Sequence, residues 1–147
     1  MARIEIRTLK KAPREDILRL FREGGWCEPG EEKDTRWINR LISGSLCVVG
    51  AFQEGRMIGM GRAISDRACD AYVQDVIVLP EHRGKGVGGR ILREVLKRIR
   101  TRRCRWIGLI ARPGSESFYR RAGFRVMRGH RAMLLSHNPR QIKNRRK

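Results

Sequence analysis

Between Arg3 and Leu9 (RIEIRTL) the apolar residues Ile4 and Ile6 alternate with charged neighbours, the period of a strand. Pro13 can open a helix, because its preset φ suits the first turn and its missing N–H has no partner to lose there. Ile17, Leu18, Leu20 and Phe21 then form an apolar side as far as Glu23, and Gly24-Gly25 ends it. A polar loop, Glu28 to Asp34, leads to a short helix carrying Trp37, Ile38, Leu41 and Ile42 at helical spacing. The period then shortens. Leu46 to Gln53 reads as a strand, Glu54-Gly55 as a tight turn, and Arg56 to Ile64 as the hairpin partner. Ser65 to Asp70 is a polar turn before a third strand, Ala71 to Leu79. Connections this short imply antiparallel pairing.

The helical period returns after Gly88. Ile91, Leu92, Val95, Leu96 and Ile99 make one stripe up to Arg100, with Arg93, Glu94, Lys97 and Arg98 mostly opposite. Glu94 can pair with Arg98 one turn on. Cys104 to Ala111 is another apolar strand, so strand, helix and strand make a parallel βαβ unit. Ser115 to Ala122 reads as a short helix, and Gly123 begins a final strand pair through Leu135. No repeat and no internal boundary divides the chain. Its 147 residues suit one domain, residues 1–136, long enough to bury about two-thirds of the unfolded surface. The remainder, 137–147, ends in RQIKNRRK with one apolar residue and is expected to be a disordered basic tail.

Charge changes the picture most. Thirty-four Lys and Arg against fifteen Asp and Glu give a net charge of +19. Such a field draws polyanions: nucleic acid, an anionic membrane or a phosphorylated cofactor. The arginines are scattered along the whole chain, which a merely solvated basic surface would also produce. No stretch approaches the roughly 20 apolar residues of a membrane helix. Met1 to Lys11 lacks the apolar segment of a signal peptide. A cytoplasmic location is therefore expected. Cys27, Cys47, Cys69 and Cys104 are far apart, with no C-x-x-C pair and no histidine at ligand spacing, so no metal is expected. Cys47 and Cys104 lie in apolar runs and act as small hydrophobes.

The chemistry concentrates in D-V-I-V-L-P-E-H-R-G-K-G-V-G-G, which starts at Asp75. A buried strand runs into a glycine-rich turn, and the turn into a helix. Glycines permit positive φ and a close approach of ligand to backbone. The turn's N–H groups and the helix N-terminus then converge on one spot, an anion site suited to a pyrophosphate. Arg83 and Lys85 add positive charge. An ATP-binding P-loop needs Ser or Thr after Gly-Lys, and here Gly84-Lys85 is followed by Gly86. Gly84, Gly86 and Gly89 satisfy G-x-G-x-x-G. However, a dinucleotide fold places that fingerprint after its first strand, and here about 80 residues of strand-rich chain precede it.

Arg83-x-x-Gly86-x-Gly88, preceded by Val78-Leu79-Pro80, resembles the acetyl-CoA signature of the GCN5-related N-acetyltransferase (GNAT) superfamily. Phe118-Tyr119-Arg120-Arg121-Ala122-Gly123-Phe124 resembles that family's second motif, at matching distance. The element order is similar from about Ile4 to Leu135. The resemblance implies an α/β (α+β) fold: one domain, a mixed and mostly antiparallel sheet, one parallel βαβ unit splayed to hold CoA, and helices on both faces. It implies acetyl-CoA as cosubstrate and transfer to a primary amine by direct attack in a ternary complex. By the same resemblance, backbone groups of Ile77 and Val78 would hold the acetyl carbonyl and pantetheine. Arg83 and the turn of Gly84, Lys85, Gly86, Val87, Gly88 and Gly89 would hold the pyrophosphate. Tyr119 would be the general acid for the departing thiolate, since a phenol's pKa of about 10 exceeds a thiol's of about 8.5.

No matched motif assigns a base. Asp75 could orient or deprotonate the amine, or could be a structural carboxylate paired with an arginine. Glu81 and His82 read as solvated loop residues. Trp26, Trp37 and Tyr72 are candidates for an aromatic wall of the acceptor site, or ordinary packing. Enzymes that acetylate ribosomal-protein N-termini usually carry N-x-x-A-x-x-L-Y, whereas this chain has Arg112-Pro113-Gly114-Ser115-Glu116-Ser117-Phe118-Tyr119. That departure favours a small-molecule acceptor over a protein or peptide. A basic nucleic-acid-binding protein is the rival from another class, although no aromatic strand reads as an RNA platform. Monomer and homodimer both remain open.

Overall fold

The computed structural model describes residues 3–27, 30–101 and 104–135. In chain order they form β1 (Glu5–Thr8), α1 (Arg14–Glu23), α2 (Arg36–Gly44), β2 (Cys47–Gln53), β3 (Arg56–Ser65) and β4 (Asp70–Val78). A single 3-10 turn (Pro80–His82), α3 (Val87–Arg100), β5 (Trp106–Gly108) and α4 (Glu116–Arg121) follow. The basic tail expected at 137–147 lies outside the described residues.

The five strands make one sheet in sequence order, with three antiparallel pairings and a parallel β4–β5 pair. Strand alternation divides the core into two layers. On one face, Ile91, Leu92, Val95 and Ile99 of α3 pack on Cys47, Val49, Ala51, Ala63 and Val73. On the other, Ile17, Leu20 and Phe21 of α1 and Ile38 of α2 cover Val48, Phe52, Met57, Met60 and Ile77. Each fully buried aliphatic side chain contributes roughly 1.5–3 kcal/mol. α3 lies so close to β3 that a Cβ on Gly61 would sit 2.9 Å from Ile91 Cγ2. A buried carboxylate ties α1 to β3: Asp16 accepts hydrogen bonds from Met57 N–H and Arg56 Nε, each at 3.1 Å.

β4 carries a bulge that sets up the site. Met60 pairs with Ile77 and Arg62 with Gln74, so two steps along β3 span three along β4. The extra residue is Asp75, at φ 52°. Its carboxylate forms an ion pair with Arg62, which also donates to Gln74 Oε1 at 2.8 Å. Beyond the bulge the faces exchange: Ala71 and Val73 pack toward α3 before it, Val76 and Val78 after it, and Ile77 turns to the α1 side.

The final strand pair expected from Gly123 to Leu135 is not formed. Residues 123–135 contain a turn, with His130 N–H donating to Met127 O at 3.3 Å and Gly129 at φ 79°, but no strand. β5 is likewise three residues long instead of the eight expected between Cys104 and Ala111. So short an edge offers few backbone groups to template further strands. Val126, Met127, Met133, Leu134 and Leu135 are left exposed.

Candidate active site

β4 and β5 pair only from Asp70–Trp106 to Tyr72–Gly108. From Val73 onward β4 has no β5 partner, and the strands part. A cleft of about 880 Å³ opens there, bordered by Ile77 and Val78 of β4, the glycine turn, the start of α3, and Phe118 and Tyr119 of α4.

The structure separates the jobs of the four glycines. Gly84 (φ 74°) and Gly86 (φ 77°) take a left-handed backbone that L side chains rarely adopt. Gly88 is a close approach: a Cβ there would lie 3.3 Å from the Phe118 ring. Gly89 has neither constraint, since open space surrounds its missing Cβ, and it lines the cleft. Gly86 caps α3 without a side-chain bond, and Arg90 N–H to Gly86 O, 3.1 Å, is the first helical hydrogen bond. The N–H groups of the first turn therefore remain available, at the positive end of a 14-residue helix with no acidic residue in that turn.

Of the nine residues expected at the cofactor, Lys85 does not line this cleft; its Nζ donates to Glu81 O at 2.8 Å. Arg83 does line it. Its Nε donates to Val78 O and its Nη2 to Glu23 Oε1, both at 2.8 Å. Arg93 and Arg100 of α3 and Arg121 of α4 supply further positive charge along the walls. The sequence signal for the α3 pair was the spacing Gly89, Arg93, Leu96, Arg100, one helical stripe that continues from the turn. His82, read from sequence as solvated, is half-buried and faces the cleft, 3.9 Å from Glu81.

Tyr119 is half-buried against Phe118 and Phe124, with ring centroids 4.9 and 6.0 Å away. Burial pushes its phenol above the usual range, and the positive charge of Arg112 opposes this in part. The phenol is therefore protonated at neutral pH. Tyr119 also borders a second cavity of about 860 Å³, which lies along β5 and reaches Tyr72, Trp106 and Phe124. Tyr72 thus borders this second cavity; burial raises its pKa, and a hydrogen bond with the Ile110 backbone offsets the rise in part. Trp26 and Trp37 pack on Phe21, at 5.4 and 5.0 Å between centroids. Trp26 also carries the Arg112 guanidinium, 5.1 Å above its ring. Arg112 Nη2 donates to Gly24 O, while Arg112 O accepts from Ser115 N–H at 3.0 Å and Ser115 Oγ at 2.7 Å. One arginine thus clasps the end of α1 to the start of α4. Asp75, considered as a base, has Arg62 as its partner.

A model of the acetyltransferase (GNAT) family matches residues 13–124. An uncharacterised ycf52-like N-acetyltransferase of Prochlorococcus marinus is 28% identical over 124 residues, 82% of this chain and 65% of that protein. The chloroplastic serotonin N-acetyltransferase 2 of Oryza sativa is 32% identical over 94 residues, 64% of this chain and 43% of that protein. Another relative's name points to a protein acceptor, a histone acetyltransferase of Glycine max. The matches span 40–65% of the length of the first curated relatives. A probable acetyltransferase from Staphylococcus aureus superposes with a TM-score of 0.77, covering 92% of this chain and all of that one at 21% identity.

Proposed function

This chain belongs to the acetyltransferase (GNAT) family, and on that premise we propose that it transfers an acetyl group from acetyl-CoA to the primary amine of a small molecule, in a ternary complex. The observation that carries the reading is one cleft with two chemistries. Free helix N–H groups and arginines gather at one end, and a protonated phenol, Tyr119, lies on its wall.

The residues fit the cofactor. Gly89 leaves room, the first turn of α3 offers unpaired donors, and Arg83, Arg93 and Arg121 complement phosphate charge. Acetyl-CoA, when bound, supplies an activated thioester. Main-chain groups of Val76 to Val78 have no β5 partner; Val78 O accepts from Arg83 Nε, and the groups left free on that edge are available to orient the cosubstrate as an added strand would be held. Tyr119 Oη holds the proton that the departing thiolate needs, and the burial that raises its pKa keeps that proton in place until then. Phe118 and Phe124 fix the ring and exclude water from it. We assign Asp75 a structural task, holding the bulge through Arg62, and leave proton removal from the amine to water in the open cleft.

The small-molecule reading is supported by the departure from the N-terminal acetylation motif at Arg112 to Tyr119 and by the serotonin enzyme among the relatives. The test is calorimetric titration with acetyl-CoA, then an acetyl-transfer screen across amines, polyamines, amino acids and peptides. Micromolar cofactor binding with turnover on a small amine is expected. No cofactor binding, together with tight, salt-sensitive RNA binding, would replace the enzyme with a nucleic-acid-binding protein.

A further inference from the structure

α4 bears the phenol, yet it is the least buried helix of the fold. None of its six residues is buried, whereas α3 buries six of its fourteen. Phe118, Tyr119 and Ala122 pack only in part against the core. A helix this short is marginal by itself, so where it stands depends on what holds its ends.

The N-terminal end is held by a built unit. Gly24 caps α1, and the Trp26 ring folds back over it, so that a Cβ on Gly24 would lie 2.7 Å from the ring. Trp26 N–H donates to Phe21 O at 2.9 Å, and the two rings meet edge to face. The Arg112 guanidinium lies 5.1 Å from the centre of the Trp26 ring, and its Nη2 donates to Gly24 O. A planar guanidinium can stack and donate at once, which an ammonium cannot match. Arg112 O in turn accepts from Ser115 N–H at 3.0 Å and Ser115 Oγ at 2.7 Å. Ser115 O accepts from Phe118 N–H at 3.2 Å and Tyr119 N–H at 3.5 Å. An unbroken series of contacts therefore runs from the end of α1 to the residue that bears the phenol.

Charge leads to the same arginine. Arg93, Arg100 and Arg121 line the cleft, and Glu116 and Arg120 of α4 pair with each other at 3.4 Å. The positive charge that works against burial at the Tyr119 phenol is that of Arg112. We propose that Arg112 is the positioning residue for Tyr119: clasped to Gly24 O and the Trp26 ring, it fixes the start of α4 and thereby where the phenol stands in the cleft. The kinetic half of this inference rests on the acetyl-transfer reading; the placement half is read without turnover.

The experiment compares the full chain with its Arg112→Gln, Arg112→Lys and Trp26→Leu variants, using CoA as titrant and the fastest primary amine from the acetyl-transfer screen as acceptor. Arg112→Gln lowers kcat about tenfold and leaves CoA affinity within about twofold of the parent. It also moves the alkaline limb of the kcat profile to higher pH, since losing a positive neighbour raises the phenol's pKa. Arg112→Lys keeps the charge but not the planar stack, so kcat falls while the limb stays in place. In a Tyr119→Phe background neither Arg112 substitution lowers kcat further, because the effect passes through the phenol. Amide hydrogen exchange across residues 115–124 speeds up about tenfold in Arg112→Gln and Trp26→Leu, with α3 unchanged. Exchange there that matches the parent overturns the placement, whatever the activity. A kcat loss that persists in full in Tyr119→Phe, or that comes with an equal loss of CoA affinity, overturns it too, since the clasp would then serve the whole cleft. Failure of the parent to bind CoA removes the acetyl-transfer reading alone, and exchange still decides the clasp.

Discussion

The two rims of the cleft are built by different means. The rim that we propose for phosphate is main chain: Gly84 and Gly86 at positive φ, then the open first turn of α3, all within one short segment. The opposite wall is side chain: Phe118, Tyr119 and Arg121 of α4, whose leading segment is clasped to the end of α1 by Arg112 on Gly24 O and on the Trp26 ring. A main-chain site tolerates change at most side chains but not in its dihedrals. A side-chain site holds its shape only while each distant partner is present. The first design is written locally in sequence, and the second is not.

Five substitutions probe that contrast, beginning with the largest effect. Tyr119→Phe removes one oxygen from the side-chain rim and lowers kcat by about 10²-fold or more, with CoA affinity unchanged by calorimetry. Unchanged turnover would free Tyr119 of its assigned role. Asp75→Ala tests the bulge between the rims. It removes the carboxylate that neutralises Arg62 in a partly buried site and lowers unfolding free energy by about 1–3 kcal/mol, measured by chemical denaturation. A base would instead show a changed pH–rate profile at full stability.

The glycines come next. Gly86→Val forces a branched side chain to φ 77° and destabilises by roughly 1–2 kcal/mol, with weaker CoA binding. Gly89→Ala should do the reverse to stability. Its Cβ meets nothing, and alanine favours helix by up to about 1 kcal/mol. CoA binding nevertheless falls, because that Cβ enters the cleft. A Gly89→Ala variant that keeps full CoA affinity would show that the ligand does not approach the backbone there. The smallest effect concerns pH. Tyr119 is an acid whose pKa is raised, so activity that needs its proton persists through neutral pH and falls as pH rises through the raised value. Arg112→Gln removes the charge that opposes the rise, and the alkaline limb of the kcat profile moves to higher pH.

α3, with its stripe from Ile91 to Ile99, and the hairpin of β2 and β3 were legible from periodicity, because each buries one continuous face. The glycine turn was legible because backbone conformation restricts residue type where it stands. The last strands were misjudged. Apolar residues between Phe124 and Leu135 suggest burial, but a strand exists only if a neighbouring edge is there to pair with it, and β5 supplies three residues. Lys85 points away from the cleft for a related reason, since a flexible ammonium turns to whichever acceptor lies nearest, here Glu81 O.

Sequence by itself settled the order of elements as far as α4 and the glycine-rich turn before α3, both of which depend on residues close together along the chain. Only the tertiary structure decided that β4 parts from β5 after Tyr72, that Arg62 occupies Asp75, and that Arg83 meets Glu23 and Arg112 meets Gly24 at the end of α1. Those contacts join residues tens of positions apart, and no periodicity encodes a pairing whose geometry exists only once the sheet has placed both ends.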